Sequence, residues 1–412
     1  MIGLEEAVAL VERTAAPLPP RRQRLLEACG RRLAAAVVAD SDSPPWDRAM
    51  MDGFAVSSAD ISAAGAADLE VVVDLAAGDV TGVEICPGRC ARIMTGAPIP
   101  RGADAVIPVE CAVDGSATAR AGGRVRLRDG RFRPGQHVGR RGAAFRAGDE
   151  LLAAGVRLGG VEIGLVAEAG ATHVLAAPRV RVAILATGSE LVPTDVVPAY
   201  GQIRNSNGPM LAAATQLLDA EPIELGIAPD RPEAIRAAVA QGLAADLLLL
   251  SGGVSAGDLD LVPEIFRRSG VEQVFHKVRL KPGKPVYFGV VRRDAAPQTL
   301  VFGLPGNPAS SLVCFELLVR PAIRILGGSP PERWHLPRER ARLTAPVVGA
   351  VDRPVYVPCA FERTGRGLGA SPLPWAGSSD LRGLAGAAGF VALPAGCRHH
   401  EAGAEVEVVV RE

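Results

Sequence analysis

Between Asp246 and Asp260 the chain reads D-LLLL-S-G-G-V-S-A-G-D-L-D. Small residues followed by acids are the residue types that handle anions and their counter-cations. Glycines let a backbone approach a phosphate closely, and a helix start offers N–H groups to its oxygens. Asp258 and Asp260 add carboxylate oxygens, which hard cations prefer. A phosphate ester accompanied by magnesium is the chemistry this stretch permits. Asp258 also has a plainer reading, as the cap of the helix that follows. Two other segments share the character: T-G-S-E at 187–190 and P-G-N-P-A-S at 305–310. Between the last two lies K-P-G-K-P, whose prolines stiffen the chain so that Lys281 and Lys284 are held near a multiply charged anion.

Other phosphate signatures are missing. Pro285 follows Lys284 where a Walker loop needs Ser or Thr, and no G-x-G-x-x-G follows a strand. That excludes a P-loop kinase and a dinucleotide dehydrogenase. Residues 253–257 do satisfy G-x-S-x-G, the nucleophile elbow, with His276 or His335 following as a base. A hydrolase of that kind leaves K-P-G-K-P and P-G-N-P without roles.

Such loops need strands to carry them. Leu247 to Leu250 is an unbroken apolar run of strand length, as in a parallel sheet buried on both faces. From residue 179 strands are expected at 180–185, 223–227, 286–291 and 300–304. Helices are expected at 209–218, 232–243, 261–269 and 309–326. The pattern is a doubly wound α/β domain, with the loops at the carboxyl ends of its strands. Residues 4–10 and 21–29 read as helices, and 148–170 as a helical stretch beside them. Residues 69–127 read as a small β domain with strands at 71–73, 91–94, 105–109 and 125–127. Met51-Asp52-Gly53 reads as a tight turn feeding a strand. The arginines between 120 and 146 read as a solvated strand face, with a phosphate-binding strip as the alternative. From about 330 onward short strands return as a further β domain, with Cys397, His399 and His400 in a surface tail.

Composition narrows the classes. The 412 residues exceed one ordinary core. Forty-five basic residues balance forty-five acidic ones, giving no global pull toward nucleic acid or an anionic membrane. The seven cysteines form no C-x-x-C, so neither a zinc site nor a disulfide framework is expected, and a reducing cytoplasm is. The N-terminus lacks a basic leader, and no apolar run approaches the roughly 20 residues of a membrane span.

Taken together and in order, these motifs resemble the molybdopterin molybdenumtransferase family (MoeA and the matching domain of gephyrin). The resemblance runs through M-D-G-F-A-V (51–56), M-T-G-A-P-I-P-R-G-A-D-A-V (94–106), G-Q-H-V-G-R-R-G (135–142) and A-T-G-S-E-L (186–191). It continues through G-Q-I-R-N-S-N (201–207), S-G-G-V-S-A-G-D (251–258), K-P-G-K-P (281–285) and G-L-P-G-N-P-A-S (303–310). It implies a linking and dimerisation domain from 1–43 with 139–177, an inserted β domain at 44–138, a central molybdopterin-binding α/β domain at 178–328, and a β-barrel-like domain at 329–412. It implies insertion of molybdate into adenylated molybdopterin with release of AMP, in the presence of Mg2+. It further implies a homodimer whose site lies between subunits, with Asp52 and Thr95 facing the partner's loops. Carried over, the catalytic residues are Asp258, Glu190, Asp52, Lys281 and Lys284, with Glu190 and Asp258 toward the metal. Substrate would be held by Thr95, Thr187, Gly188, Ser189, Gly252, Gly253, Ser255, Pro305, Gly306, Asn307, Pro308 and Ser310. The chain departs from the family pattern at Ala49, Ala143, Ala144, Arg204, Asn205, Arg231 and Ala388. Those departures keep a second reading open, a scaffold that binds the pterin or a partner protein without efficient turnover. Other biosynthetic proteins or recipient apo-enzymes are the expected protein partners. Whether molybdate or tungstate is preferred is not encoded in any of these motifs.

Overall fold

The apolar run that leads into the glycines, Leu247–Ser251, lies third in a six-stranded sheet of a computed structural model that describes residues 1–254, 261–293, 297–365 and 367–411. The spatial order is Glu221–Ala228, Arg181–Thr187, Leu247–Ser251, Thr299–Leu304, Tyr287–Val291 and Glu272–His276. The first four strands run parallel and the last two antiparallel to their neighbours, so the sheet is mixed at one side. Glu272–His276 was not anticipated from the sequence.

Burial on both faces explains the missing polar alternation. Leu247 and Leu249 join one core with Leu211, Leu312 and Phe302; Leu248 and Leu250 join another with Val239, Phe266 and Val301. The helices Asn207–Gln216 and Pro308–Cys314 cover the first face, and Pro232–Gly242 and Leu261–Arg268 the second. The run expected as one helix over 309–326 widens into a π turn at Phe315–Val319 before resuming at Arg320–Leu326. Pro321 lacks the N–H an unbroken α-helix would need there. The first helix, Leu4–Thr14, buries Ala7 and Val11 in that same core.

Two helical expectations near the N-terminus fail. Residues 21–29 are not a helix: Arg21–Arg24 is a strand paired antiparallel with His173–Ala176, followed by turns, and Leu26 is exposed. Pairing with a distant strand overrides a weak local propensity. In 148–170, Glu150–Leu152 pairs with Val37–Val38, and the helix begins only at Gly160 and ends at Glu168. Gly155 sits at φ +88, which breaks any earlier helix.

Residues 53–128 form a five-stranded sheet, in the order Ala105–Pro108, Gly53–Val56, Arg89–Ile93, Ala66–Leu75, Arg124–Arg128. Arg124 and Arg126 point outward to Asp68 and Asp114, while Val125 and Leu127 are buried. The last segment closes a barrel from Arg338–Leu343, Gly367–Pro372, Val355–Thr364, Gly389–Leu393 and Glu405–Val410. Cys397–His400 is no tail; it is a strand paired with Val347–Ala350. Among the described residues no helix is long and apolar enough to cross a membrane.

Candidate active site

Three parallel strands deliver their loops to one place. Arg181–Thr187 ends in Gly188-Ser189-Glu190, Leu247–Ser251 in Gly252-Gly253, and Thr299–Leu304 in Pro305-Gly306-Asn307-Pro308. Gly252 sits at φ +103, and a Cβ there would stand 2.4 Å from Thr187 O. Only glycine lets these strand ends approach so closely, and on the other side Gly252 N donates to Leu304 O at 3.1 Å. Asn207, at the start of its helix, ties two loops together: its Nδ2 donates to Ser251 Oγ and to Gly306 O, both at 2.7 Å. Ser189 and Asp230 bond reciprocally, Ser189 N to Asp230 Oδ2 and Asp230 N to Ser189 Oγ, each at 3.1 Å.

These loops floor a cleft of about 1340 Å³. That exceeds the several hundred Å³ of an ordinary small-molecule pocket and suits an extended ligand. The K-P-G-K-P segment forms one wall. It is held against the barrel by Lys281 N to Pro354 O at 3.0 Å and Tyr356 N to Lys281 O at 2.8 Å. The barrel side closes over the cleft with Arg353, Trp375 and Ser378. Asn307 Nδ2 donates to Ser378 Oγ at 2.8 Å, and Ala309 N to Ser378 O at 3.0 Å, so P-G-N-P is latched to the last domain.

The electrostatics favour a phosphorylated ligand. Lys281 and Lys284 are exposed, and neither forms an ion pair among the described residues. Glu190 lines the cleft with a carboxylate that likewise has no hydrogen-bond partner there. Three buried polar atoms of lining residues lack a partner among the described residues: Thr187 Oγ1, Asn207 Oδ1 and Trp375 Nε1. Buried polar atoms cost free energy unless hydrogen-bonded. Behind the lysines, Cys314 is fully buried with its Sγ 3.5 Å from Gly283 O. Burial pushes its thiol well above the ordinary range, so it is not a nucleophile.

Most of the residues singled out from the sequence meet here. Thr187, Gly188, Glu190, Gly252 and Gly253 line the cleft, as do Lys281 and Lys284. So do Pro305, Gly306, Asn307, Pro308 and Ser310. Ser189 is turned to Asp230 instead. Ser255, Asp258 and Asp260 lie outside the described residues. Asp52 and Thr95 do not line this cleft. They bond to each other on the β domain, Thr95 N and Oγ1 each 2.7 Å from Asp52 Oδ1. Thr95's hydroxyl, then its backbone N–H, hold the Asp52 carboxyl below its ordinary range.

The departures sort by position. Arg204 lines the cleft and donates to Val196 O at 3.0 Å. Asn205 keeps an acceptor for Gly208 N at 3.0 Å, the service an Asp would give at a helix start. Arg231 precedes the helix Pro232–Gly242, and Ala143 and Ala144 lie in a turn beside the Arg141–Asp42 ion pair. Ala388 N bonds Cys359 O at 2.9 Å within the barrel. Asp230, Asn207, Ser251, Arg353, Trp375 and Ser378 were not foreseen as site residues. Asn207 sits inside G-Q-I-R-N-S-N, but nothing local ties the barrel residues to the loops. Of the two candidate bases for a Ser255 elbow, His335 Nε2 is bound to Glu12 Oε1 at 2.7 Å. His276 Nε2 lies 3.3 Å from the backbone oxygen of Val254.

Comparison with known proteins agrees with this layout. Residues 2–170 match the model of the MoeA N-terminal region (domain I and II). Residues 183–325 match the probable molybdopterin binding domain, and 340–410 the MoeA C-terminal region (domain IV). A molybdopterin molybdenumtransferase of Bacillus subtilis is 34% identical over 392 residues, 92% of this chain and 87% of its own. Another, of Nostoc, is 39% identical over 308 residues, 74% of this chain and 69% of its own. The crystal structure of the molybdopterin biosynthesis MoeA protein of Pyrococcus horikoshii superposes with a TM-score of 0.79 at 30% identity, covering 100% of this chain and 99% of that one. With three successive family regions matched along a fold of the same architecture, the chain belongs to the molybdopterin molybdenumtransferase (MoeA) family.

Proposed function

We propose that this protein is a transferase of molybdenum cofactor biosynthesis, which inserts molybdate into adenylated molybdopterin and releases AMP. The observation that carries the reading is the cleft itself. Close-packed glycine loops and two lysines that form no ion pair among the described residues share one space large enough for a nucleotide joined to a pterin. Lys281 and Lys284 offset the phosphates and the molybdate dianion, and Ser310 and the N–H of Gly253 are available to oxygens, the Gly252 N–H being held by Leu304 O. Neither the scaffold reading nor a serine hydrolase is favoured by the relatives, which are named as transferases.

The donor set suits magnesium. Glu190 and Asp230 bring hard carboxylate oxygens into the cleft, and Mg2+ is commonly held by one or two carboxylates completed by substrate phosphates and water. Asp258 is assigned with Glu190 to that ion or its water. When bound, the ion neutralises charge on the phosphoanhydride that is broken.

The working unit is proposed to be a homodimer. Asp52 and Thr95 are exposed away from their own cleft, beside the exposed Trp46, Met50 and Met51. Facing a second copy would complete the site and cover those side chains. The division proposed is a segment 1–43 with 139–177, an insert 44–138, an α/β body 178–328 and a barrel 329–412, and the strand pairings support it. Cys29, Cys86 and Cys397 are exposed free thiols, which suits a cytoplasmic setting.

The test is complementation of a bacterium lacking its own molybdenum transferase, read as nitrate reductase activity. Restored activity supports the assignment. A folded, expressed protein that restores none contradicts it.

A further inference from the structure

Away from the cleft, a notch of about 30 Å³ opens where residues 30–32 and 157 meet the α/β body at 219 and 324–329. It takes two or three oxygen-sized groups. Its lining carries Arg31, Arg32, Arg157 and Arg324 against one acid, Asp219. Asp219 is already committed: its carboxylate pairs with Arg157 and its carbonyl accepts Arg31 Nη1 at 2.8 Å. Arg32 Nη1 donates to Gly155 O at 2.9 Å, and neither Arg31 nor Arg32 forms an ion pair among the described residues. Each guanidinium has five N–H donors, so most of theirs remain available. Burial, with Arg179 and Arg157 nearby, outweighs Asp219 and Cys29 and holds Arg31 below its ordinary range. Burial and then Arg333, Arg157 and Arg324 do the same to Arg32, with Glu332 opposing. Half-buried guanidiniums crowded by like charge are costly without a counter-ion.

We propose that this notch is a binding site for one tetrahedral oxyanion, of the class of inorganic phosphate, sulfate or molybdate, gripped by Arg31, Arg32 and Arg157. The size admits the inserted face of such an ion and excludes a nucleotide. Planar guanidinium forks match oxyanion edges two N–H groups at a time. The bound ion would brace the 30–32 segment against Arg157 within the N-terminal region, where that region meets the α/β body.

The experiment uses the full chain with Lys281→Ala and Lys284→Ala, which silences anion binding in the cleft. Its melting temperature is followed against phosphate, sulfate and molybdate in turn, at fixed ionic strength. A ligand that binds only the folded state raises it with concentration. The expected result is a rise with at least one ion, weakened about tenfold or more when Arg32→Gln and Arg157→Gln are added; which ion acts at the lowest concentration identifies the source. No rise with any of the three, or a rise untouched by the arginine substitutions, overturns the proposal. Should that variant fail to fold, tungstate-soaked crystals decide by anomalous scattering. A peak between Arg32 and Arg157 supports the site, and none there overturns it.

Discussion

Gly252 and Asn207 show how single residues hold the cleft open. Gly252 combines a positive φ with a backbone oxygen 2.4 Å from where a Cβ would be. Gly252→Ala should therefore destabilise the fold by more than about 1 kcal/mol and weaken nucleotide binding with it, measured by chemical denaturation and by equilibrium titration of AMP. Asn207→Ala removes the donor shared by Ser251 and Gly306. A cost of about 1–3 kcal/mol is expected, read from the same denaturation curves. Asp52 offers a pH test. Its folded-state value is depressed, so the Thr95 contact stabilises above the ordinary carboxylate range and is lost as pH falls through the depressed value. Thr95→Val removes the larger cause, the hydroxyl, and should move the Asp52 titration up toward its ordinary range in carboxyl carbon NMR; no movement would contradict the assignment. The glycine and lysine positions were legible in the sequence because small residues and prolines after an apolar run have few other uses. Arg353 and Trp375 were not, since they reach the cleft only when the barrel docks.

At the scale of elements, legibility followed how local the cause was. The buried strand Leu247–Ser251 and the helix Pro232–Gly242 carry their own signals, an apolar run and a Pro at the helix start. The strand Arg21–Arg24 carries none; its partner is about 150 residues away, at His173–Ala176. The Asn307–Ser378 latch is likewise non-local. Asn307→Ala should cost about 1 kcal/mol and speed amide exchange at Ala309, whose N–H bonds Ser378 O. Unchanged exchange there would show that the latch does not hold the barrel. A second tie is Glu316, buried in the π turn and paired with Arg320 at 2.6 Å and Arg411 at 3.6 Å. Glu316→Ala takes a carboxylate from a buried guanidinium, with an expected loss of about 3–5 kcal/mol, measurable as a lowered denaturation midpoint.

Across the whole molecule, the cleft draws one side from the α/β body and the other from the barrel, while Asp52 and Thr95 stand apart on the β domain. The proposed dimer would resolve that separation, and sedimentation at micromolar concentration should show one. Mixing Asp52→Ala with Lys281→Ala protein should recover activity that neither has alone; a fully active monomer would contradict the arrangement. The order of the family regions was legible because the motifs follow one another in register. Their docking was not, because it rests on contacts such as Lys281 with Pro354 that no local pattern encodes. The most direct test of the central claim is AMP release from adenylated molybdopterin by purified protein, with and without molybdate, beside Lys281→Ala/Lys284→Ala. Molybdate-dependent AMP release, lost by orders of magnitude in the double variant while the fold persists, is the predicted result. Release that ignores molybdate, or that survives loss of both lysines, would contradict it.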